Sequence, residues 1–585
     1  MRRTKIVCTL GPATNTVEMI KKLLCAGMDV ARFNFSHSTH EEHRQLLENF
    51  RQAAREMGKP AAALLDTKGP EIRVGNFKDG RVFLKEGGRF SLTSEEILGD
   101  ETRVSITYPG LIKDLEIGRI VLLDDGLVAL KVVDLTETEI ICRVLNDGPV
   151  SDHKGVNVPG TRLSMPYISQ KDHDDIVFGV KEGFDFIAAS FVRSADDILQ
   201  IRKILDECKC DSIRIIAKIE NAEGVENIDE ILMVADGVMV ARGDMGVEIP
   251  LEDVPVLQKM LISKAYNAGK QVITATQMLD SMIKNPRPTR AEATDVANAI
   301  YDGTSAIMLS GETAAGAYPV EAVQTMARIA ERTERDVYCS GHLFREREDQ
   351  DFRGDVTNAI SHATCTTAHD LGAAAIITVT LSGHTARMIS KYRPEIPIIG
   401  CTPSEQTYRR MCLSWGVTPV MVKEMNDMDD LFDHVVDTVH SQGLVADGDL
   451  VVITLGAPLS VAGTTNLIKV QIVGDVLASG DGIGTNSCVG TLCVAKNEEE
   501  AHKTFTRGDI LVIPRTSNQV LDIMKQASAI ITEEPGINSH AATIGMALDI
   551  PVIVGCKNAT HILKGGTCVN VDAARGFVCN LADKK

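Results

Sequence analysis

The chain lacks long apolar runs. None of its apolar segments reaches the length of about 18 residues that a membrane-spanning helix needs. The first residues, MRRTKIVCTLG, lead directly into a strand-like pattern, without the apolar segment of a secretory signal peptide. We therefore expect a soluble, cytoplasmic protein with no membrane contact.

An excess of basic residues is also missing, since the formal net charge is −19 at pH 7. Proteins that bind nucleic acids or anionic membranes present a basic face to them. We therefore expect no nucleic-acid partner. An anionic substrate would have to be attracted by local cations against the negative charge of the whole chain.

The chain has no C-x-x-C pair that would indicate structural zinc. Its 14 cysteines are scattered, and Cys208 and Cys210 form the closest pair. Scattered cysteines of this kind fit reduced thiols in a cytoplasmic core.

At 585 residues the chain is too long for one core and should fold as about three or four domains. Its first part contains apolar runs that end in polar residues, with helical patterns between most of them. Continuous apolar runs are typical of strands covered on both faces, and eight strand–helix units predict a (β/α)8 TIM barrel. The runs are Lys5–Gly11, Val30–Ser36, Ala61–Gly69, Phe186–Val192, Arg214–Glu220, Gly237–Asp244, Gln271–Gln277 and Ala306–Glu312.

Three further regions accompany the predicted barrel. Residues 70–166 alternate like paired strands, with a hairpin turn at Asp125-Gly126. They predict an inserted β-barrel lid domain, which either excludes water during reaction or is a passive decoration. A charged link at residues 342–354 leads to an α/β effector domain, and a glycine-rich region with short strands follows. The expected α/β architecture places the barrel at 1–69 and 167–340, the lid at 70–166, the effector domain at 341–473 and an extra C-terminal mixed β/α domain at 474–585.

Two neighbouring strands of the predicted barrel end in charged residues. Lys218 and Glu220 lie at the end of one strand, and Asp244 follows the next, which we expect at Gly237–Ala241. Catalytic groups of parallel α/β folds collect at this end of the strands. Two carboxylates suit Mg²⁺, and Lys218 faces the same way as Glu220 and could stabilise a developing oxyanion. The alternative is a structural ion pair that caps two strands.

Arg32, Asn34 and Ser36 alternate along another strand and therefore share a face. Asn34 and Ser36, together with Asp66 and Thr67, provide one negative charge and several neutral oxygens, which suits a monovalent cation. A hydrogen-bonded network at the strand ends is an equal alternative.

The effector region contains the segment Leu381-Ser382-Gly383-His384-Thr385-Ala386-Arg387 directly after a predicted strand. Hydroxyls and free backbone N–H groups at the start of a helix predict a phosphate site, although a plain N-capped helix gives the same pattern. The glycine cluster at Gly480–Gly484 does not predict a dinucleotide site, because the following residues alternate like a strand.

Several long motifs resemble the pyruvate kinase family. They are Arg32-Phe33-Asn34-Phe35-Ser36-His37, Leu65–Arg73 (LDTKGPEIR), Lys218-Ile219-Glu220-Asn221, Met239–Asp244 (MVARGD) and Pro288–Gly316. The resemblance implies an enzyme that transfers the phosphoryl group of phosphoenolpyruvate to ADP, giving pyruvate and ATP in the last step of glycolysis. It also implies a homotetramer that is regulated by a phosphorylated effector.

The same resemblance implies roles for single residues. Mg²⁺ or Mn²⁺ would be held by Glu220 and Asp244, and K⁺ by Asn34, Ser36, Asp66 and Thr67. The catalytic residues would be Lys218, Thr276, Arg32 and Arg73. Substrate would be bound by Arg32, Lys218, Gly243, Asp244 and Thr276, and nucleotide by Arg73, Lys154 and Asn34. The effector would be bound by Thr380, Ser382, Gly383, His384 and Thr385.

Two positions refine this expectation. Family members that work without K⁺ tend to carry lysine at the place of Glu71, so the resemblance implies a K⁺ requirement here. His384 stands where family members often carry another residue, and we therefore expect a sugar monophosphate or AMP rather than fructose bisphosphate as the effector.

The segment Gly536-Ile537-Asn538-Ser539-His540-Ala541-Ala542 resembles the phosphohistidine segment of the swivelling, mobile domain of phosphoenolpyruvate synthase and pyruvate phosphate dikinase. Pro535 and Asn538 depart from the usual pattern G-G-x-T-S-H-A-A. A dikinase-like enzyme with His540 as phosphoryl carrier is one alternative, disfavoured because no ATP-grasp region is evident. A sugar-phosphate or nucleotide sensor with an inactive barrel is the non-enzymatic alternative, against which the complete set of barrel groups argues.

Overall fold

The computed structural model describes residues 2–340, 355–425, 427–456, 465–474 and 476–580. The charged link predicted at 342–354 lies outside the described residues. The chain divides into two compact units, Met1–Ser361 with Thr380–Met421 and His362–Val379 with Val422–Lys585. Within the described ranges, no helix combines the length and apolar character needed to span a bilayer.

Eight parallel strands close into a barrel in the first unit, as the sequence predicts. The first strand pairs with the eighth, with Lys5 opposite Ala306, and this pairing closes the ring. The strands are fully or largely buried because helices cover one face and core side chains fill the other. They are Lys5–Thr9, Val30–Asn34, Ala62–Asp66, Phe186–Ala189, Arg214–Ile219, Gly237–Ala241, Gln271–Ala275 and Ala306–Leu309.

Each observed strand ends earlier than its apolar run, because the last residues of the run already belong to the loop or helix that follows. The predicted strand Gly237–Ala241 is confirmed, and Arg242, Gly243 and Asp244 begin the helix Arg242–Glu248. Asp244 thereby lies in the first turn of a helix, where a carboxylate is favoured by the exposed backbone N–H groups.

Sequence signals set the starts of several barrel helices. Thr39, Ser169 and Thr289 each form a capping box with the acidic residue three positions later. The helices around the barrel are Val17–Ala26, His40–Glu56, Gln170–Glu182, Ala195–Glu207, Ala222–Glu226, Ile228–Val234, Arg242–Glu248, Val254–Asn267, Arg290–Tyr301, Gly311–Ala314 and Pro319–Ser340, with 3-10 turns at Pro12–Thr14 and Asp280–Ile283.

The predicted β insertion lies between the third and fourth barrel strands. Its six-stranded sheet has the order Val156–Asn157, Ile120–Leu123, Val128–Leu135, Glu139–Val144, Arg89–Thr93 and Arg103–Ser105, and a second sheet pairs Arg81–Leu84 with Gly148–Ser151. The hairpin turn falls where the sequence places it, and Asp124 and Asp125 there have positive φ. A separate apolar core fills this lid.

The first unit also contains residues 380–421. These form the helices His384–Lys391 and Glu405–Arg410, a 3-10 turn at Met411–Leu413, and the parallel strands Ile398–Thr402 and Val417–Met421. The helix Val356–Asp370 contains the boundary between the units.

The second unit contains two sheet regions. In one, the strand Leu450–Gly456 pairs in parallel with Ala375–Val379 and antiparallel with Thr465–Ile472, beside the helix Met428–Ser441. The other is a mixed sheet in the order Val476–Ser479, Phe577–Asn580, Cys568–Asp572, Ser487–Val494, Ile510–Ile513, Ala529–Thr532, Val552–Val554 and Asp481–Ile483. Its helices are Glu498–Thr504, Leu521–Met524, His540–Leu548 and Ala559–Ile562, with a 3-10 turn at Asn518–Val520. This is the extra mixed β/α domain that the sequence predicts.

Candidate active site

The ammonium group of Lys218 lies buried at the carboxyl end of the fifth barrel strand. Its Nζ donates to Ser190 Oγ at 2.8 Å and to Asp66 Oδ1 at 3.1 Å. It also lies 3.0 Å from Glu220 Oε1. Burial opposes the positive charge, but Asp66 and Glu220 raise the pKa of Lys218 above its ordinary value. Lys218 is therefore a fixed cation rather than a proton acceptor.

Asp66 holds two cations at once. Its Oδ2 accepts from Arg32 Nε at 2.6 Å, while its Oδ1 faces Lys218. Burial acts to raise the pKa of the Asp66 carboxyl, but Arg32 and Lys218 lower it below its usual value. Arg32 also donates to Thr9 Oγ1 at 3.0 Å, so the guanidinium is fixed against two strands. The site thus places two positive charges around one buried carboxylate.

Glu220 is fully buried, and only one of its oxygens has a hydrogen bond. Oε2 accepts from the Phe191 N–H at 2.6 Å, whereas Oε1 has no hydrogen-bond partner and is balanced only by the charge of Lys218. Burial raises the pKa of Glu220 above its ordinary value; Lys218 opposes this rise and the charge of Asp244 adds to it. Two carboxylates that repel each other, one with a buried oxygen whose only partner is the Lys218 ion pair, fit a divalent cation.

The described residues contain no group of three or more histidine, cysteine or acidic side chains that could hold a metal by themselves. A pair of carboxylates is nevertheless the usual protein contribution to a Mg²⁺ site, because substrate oxygens and water complete the octahedron.

Thr276 lies where the seventh barrel strand turns into its loop, with a φ of 69°. Its Oγ1 accepts from the Gly243 N–H at 2.7 Å and donates to the Ala275 carbonyl at 2.6 Å. Arg242 donates to the Thr276 carbonyl at 2.8 Å and to Asp295 Oδ1 at 2.6 Å. The structure therefore joins Thr276, Gly243 and the helix that carries Asp244.

Arg73 lies at the base of the lid. It makes a two-point ion pair with Glu71, with N–O distances of 2.8 Å, and donates to the His153 carbonyl at 2.7 Å. Lys154 Nζ lies 2.8 Å from Asp124 Oδ1 and is well exposed. Burial raises the pKa of Asp125, and Asp244 is the largest of the charges that add to this rise. The lid carboxylates and Asp244 therefore face the same cleft.

A cleft of about 160 Å³ separates the lid from the barrel loops. Its lining includes Glu71, Asp125 and Asn157 from the lid side and Asp244 and Glu248 from the barrel. Asn157 Nδ2 donates to Glu248 Oε1 at 2.8 Å across this cleft. No residue pattern in the sequence indicates this contact between lid and barrel.

The four oxygen-bearing residues predicted for K⁺ lie on two adjacent strands or directly after them. Asn34 stands opposite Asp66 in the strand register, and Asn34 Oδ1 accepts from the Ser36 N–H at 3.1 Å. Thr67 Oγ1 accepts from the Ser190 N–H at 3.1 Å. Ser190 thus connects Asp66, Thr67 and Lys218 through hydrogen bonds. This role could not be predicted from a serine at the end of a strand.

The predicted effector loop precedes the helix His384–Lys391. Thr380 Oγ1 accepts from the Gly383 N–H at 3.0 Å, and Gly383 has a φ of 80°. Burial and the charge of the neighbouring Arg387 together lower the pKa of His384 to about 4, and Arg387 Nη2 lies 3.1 Å from His384 Nδ1. His384 is therefore neutral at neutral pH.

His540 begins the helix His540–Leu548 in the second unit, and Ser539 caps that helix. Both ring nitrogens have partners: Nδ1 lies 2.9 Å from Thr516 Oγ1, and Nε2 lies 3.1 Å from Asn518 Oδ1. The ring orientation is therefore fixed by two neutral groups.

We predict that Gly69→Ala impairs both folding stability and activity. Gly69 has a φ of 72°, and an added Cβ would lie 2.8 Å from Ser190 Cβ and 2.9 Å from the Ser190 carbonyl oxygen. Backbone strain of this kind costs about 1–3 kcal/mol, and displacement of Ser190 would disturb Lys218 as well. The measurements are Tm and kcat.

Gly58→Ala is the matched control, because Gly58 has a φ of 59° with no atom within 4 Å of the added Cβ. We expect it to lower Tm through strain alone and to leave kcat unchanged. Equal behaviour of the two variants would show that the contact with Ser190 has no role.

Family models match three parts of the chain. The pyruvate kinase barrel domain matches residues 1–323, and the pyruvate kinase alpha/beta domain matches residues 358–471. The mobile domain of PEP-utilising enzymes matches residues 505–576.

Similar proteins extend over nearly the whole chain. A pyruvate kinase of Geobacillus stearothermophilus is 52% identical over 99% of this chain and 98% of its own length. One of Bacillus licheniformis is 51% identical over 99% of both chains. The crystal structure of a pyruvate kinase from Cryptosporidium parvum, 40% identical, covers 81% of this chain and 96% of its own, with a TM-score of 0.75.

Proposed function

The chain belongs to the pyruvate kinase family, and from this premise we propose that it transfers the phosphoryl group of phosphoenolpyruvate to ADP, giving pyruvate and ATP. The observation that carries the proposal is the buried Lys218, held between Asp66 and Glu220 at the carboxyl ends of the barrel strands. Phosphoryl transfer needs mainly positioning and charge neutralisation, which such a cluster provides.

In the proposed reaction, the bond between phosphorus and the enol oxygen breaks, and an oxygen of the ADP β-phosphate forms the new bond to phosphorus. Lys218 neutralises the transferring group and then the enolate oxygen. Arg32 and Arg73 bind phosphate oxygens, while Gly243 and Asp244 border the bound substrate. Because its pKa is raised, Lys218 keeps its proton throughout.

The enolate carbon must next receive a proton to become pyruvate. We assign Thr276 to this step, because its hydroxyl is fixed by Gly243 and Ala275 and can orient a water molecule at the site. The lid would exclude other water from the enolate while Asn157 is bonded to Glu248. Lys154, Arg73 and Asn34 are our candidates for contacts with the nucleotide.

We propose that Glu220 and Asp244 hold Mg²⁺ or Mn²⁺, and that Asn34, Ser36, Asp66 and Thr67 hold K⁺. When bound, the divalent cation supplies a Lewis acid that draws charge from the carboxylate and enol oxygens of the substrate. Glu220 Oε1, which is buried and has no hydrogen bond besides its ion pair with Lys218, supports the first assignment.

Regulation and assembly are further parts of the proposal. A sugar monophosphate or AMP would bind through Thr380, Ser382, Gly383, His384 and Thr385. With His384 neutral, the hydroxyls and backbone N–H groups of the loop would contact the phosphate. We also propose a cytoplasmic homotetramer with the four domains expected from the sequence.

A dikinase-like enzyme with His540 as carrier is the second candidate, favoured by the mobile-domain match at residues 505–576. A phosphoryl carrier needs a free ring nitrogen as nucleophile. Both nitrogens of His540 have hydrogen-bond partners, which favours a structural role for this residue.

One assay separates the candidates: pyruvate formation from phosphoenolpyruvate with ADP and Mg²⁺, with and without inorganic phosphate or effectors. ADP-dependent pyruvate formation supports the kinase. Pyruvate formation only with AMP and pyrophosphate would support the dikinase. An inactive barrel in every mixture would support the sensor.

Removal of residues 474–585 should leave phosphoryl transfer active, because every proposed catalytic group lies in the barrel or the lid. We expect a lower Tm, since an Arg575–Asp447 ion pair at 3.6 Å and the packing of Phe577 against Gly448 are lost. The measurement is kcat of the truncated protein beside Tm.

His540→Ala in the full chain is the companion variant, and we expect kcat within about two-fold of wild type, since His540 is not among the proposed catalytic groups. If the truncated protein or His540→Ala loses turnover while circular dichroism shows an intact fold, the result would support His540 as a phosphoryl carrier.

A further inference from the structure

A second group of cations lines a small cavity at the amino-terminal end of the barrel, opposite to the end that holds Lys218. Lys270 precedes the seventh barrel strand there, and Arg387, Lys391 and Arg393 come from the helix His384–Lys391 and the turn after it. No carboxylate is among the described residues that line the cavity. The charged side chains among these described lining residues are therefore all positive.

These cations make contacts mainly with neutral groups. Lys270 Nζ donates to the Ala235 carbonyl at 2.8 Å, and Lys391 Nζ lies 3.5 Å from Asn358 Oδ1. Arg393 donates to the Gly303 carbonyl at 2.8 Å. Among the residues that the structure describes, no carboxylate lies within ion-pair distance of Lys270, Arg387 or Lys391.

The buried guanidinium of Arg387 is the strongest evidence that this cavity binds an anion. Its Nε is buried and has no hydrogen-bond partner, although Nη2 contacts His384. A guanidinium keeps its charge in proteins, and a buried N–H without an acceptor is costly. Burial also lowers the pKa of Lys270 and of Lys391, with Asp236 and Asp355 opposing this only in part.

The cavity is too small for a sugar or a nucleotide. Its volume is about 20 Å³, and a single water molecule needs roughly 10–15 Å³ on the same measure. The space is therefore close to that of one water molecule, and a few-atom ion would enter only with small shifts of the lining side chains. Ser305 and Ser390 add hydroxyl groups to the lining, which suits an anion with several oxygen acceptors.

We propose that this cavity is a binding site for a small tetrahedral oxyanion, with inorganic phosphate as the ligand. Arg387 and Lys391 are four residues apart on one helix and so share a face. An anion held by that face would fix Arg387, which contacts His384 of the predicted effector loop. The site is separate from that loop, because its cations, and not the loop hydroxyls, hold the ligand.

The test is phosphate binding to the full-length protein, measured by isothermal titration with inorganic phosphate and by the rise of Tm with phosphate concentration. We expect Arg387→Met and Lys391→Met each to weaken this binding by about ten-fold or more, as loss of a charged hydrogen bond predicts. Without phosphate their Tm should equal or exceed that of wild type, because an unbalanced buried cation has been removed.

Three controls separate the explanations. Thr385→Ala alters only the effector loop and should retain the phosphate-dependent response that Arg387→Met loses. Lys21→Met removes a cation that is already paired with Glu18 and Glu56 at the surface and should change nothing. Phenyl phosphate, which carries the same group on a bulky ring, should not compete at this site.

If Arg387→Met does not fold, phosphate binding to Lys391→Met alone tests the proposal. A wild-type phosphate response in the folded variants, or a response abolished only by Thr385→Ala, would overturn the proposal. Equal binding of phenyl phosphate, lost in Arg387→Met, would overturn the assignment of inorganic phosphate in favour of a phosphate ester.

Discussion

Replacement of Lys218 by methionine is expected to lower kcat by about 10²- to 10³-fold or more, with a much smaller change in the Kd for phosphoenolpyruvate. The charge of Lys218 matters most when the phosphoryl group departs and the enolate forms. Removal of one preorganised group that stabilises a developing charge costs about 3–4 kcal/mol in the transition state. The measurements are steady-state kinetics and calorimetric binding of phosphoenolpyruvate.

Lys264→Met is the matched control, because Lys264 is paired with Asp229 on an exposed face of the same barrel. We expect its kcat to be that of wild type. Removal of Lys218 also leaves Asp66 and Glu220 facing each other in the core, so Tm must be followed to separate unfolding from loss of catalysis. A folded Lys218→Met protein with wild-type kcat would remove Lys218 from the mechanism.

Wild-type activity is expected to require K⁺ besides Mg²⁺, and Glu71→Lys is expected to weaken that requirement. Phosphoenolpyruvate brings a phosphate and a carboxylate into a site whose cations are already offset by Asp66, Glu220, Asp244 and Glu71. Unit charges about 4 Å apart interact by roughly 4 kcal/mol at an effective dielectric constant near 20. Absence of the K⁺ ion would therefore remove most of the rate. The ammonium group of a lysine at position 71 can replace the ion.

The structure adds a second effect to this variant. Glu71 binds Arg73 through both carboxylate oxygens, so Glu71→Lys releases the guanidinium as well as adding a charge. We expect KM for the nucleotide to change together with the K⁺ dependence. The nucleotide KM and the K⁺ dependence are both measured from initial rates, with increasing amounts of K⁺ added to a buffer that otherwise contains no Na⁺ or K⁺.

Glu137→Lys makes the same charge change at an exposed position of the lid and should leave the K⁺ dependence unaltered. Full wild-type activity without any monovalent cation would contradict the assignment of Asn34, Ser36, Asp66 and Thr67.

The barrel could be predicted because its strands are covered on both faces and polar residues mark where each one ends. Lys218 and Glu220 illustrate this: alternation along the strand predicts a common face, and Nζ and Oε1 lie 3.0 Å apart. Asn34 and Asp66 likewise come from predicted neighbouring strands and stand opposite each other. The catalytic roles of these residues stay predictions.

Other parts of the site depend on information that residue patterns do not contain. Phe191 has a φ of 55°, and in this conformation it donates its N–H to Glu220. A positive φ is rare for phenylalanine and could not be predicted from the sequence. Arg242 binds Asp295, 53 positions further along the chain, and no local periodicity connects them. The strand Gly237–Ala241 follows from its apolar run, but the helix Arg242–Glu248 does not, since it begins without any intervening turn residues.

The pairing of Lys5 with Ala306 has a consequence for how the protein is made. The first strand leaves the ribosome early, but the partner that seals the ring emerges about 300 residues later. At a translation rate of roughly 5–20 residues per second, the edge of the first strand stays unpaired for about 15–60 s. During this time its N–H and C=O groups can pair with other chains. The inserted residues 70–166 add to this time, so chaperone binding to nascent chains should peak before Leu309 has emerged.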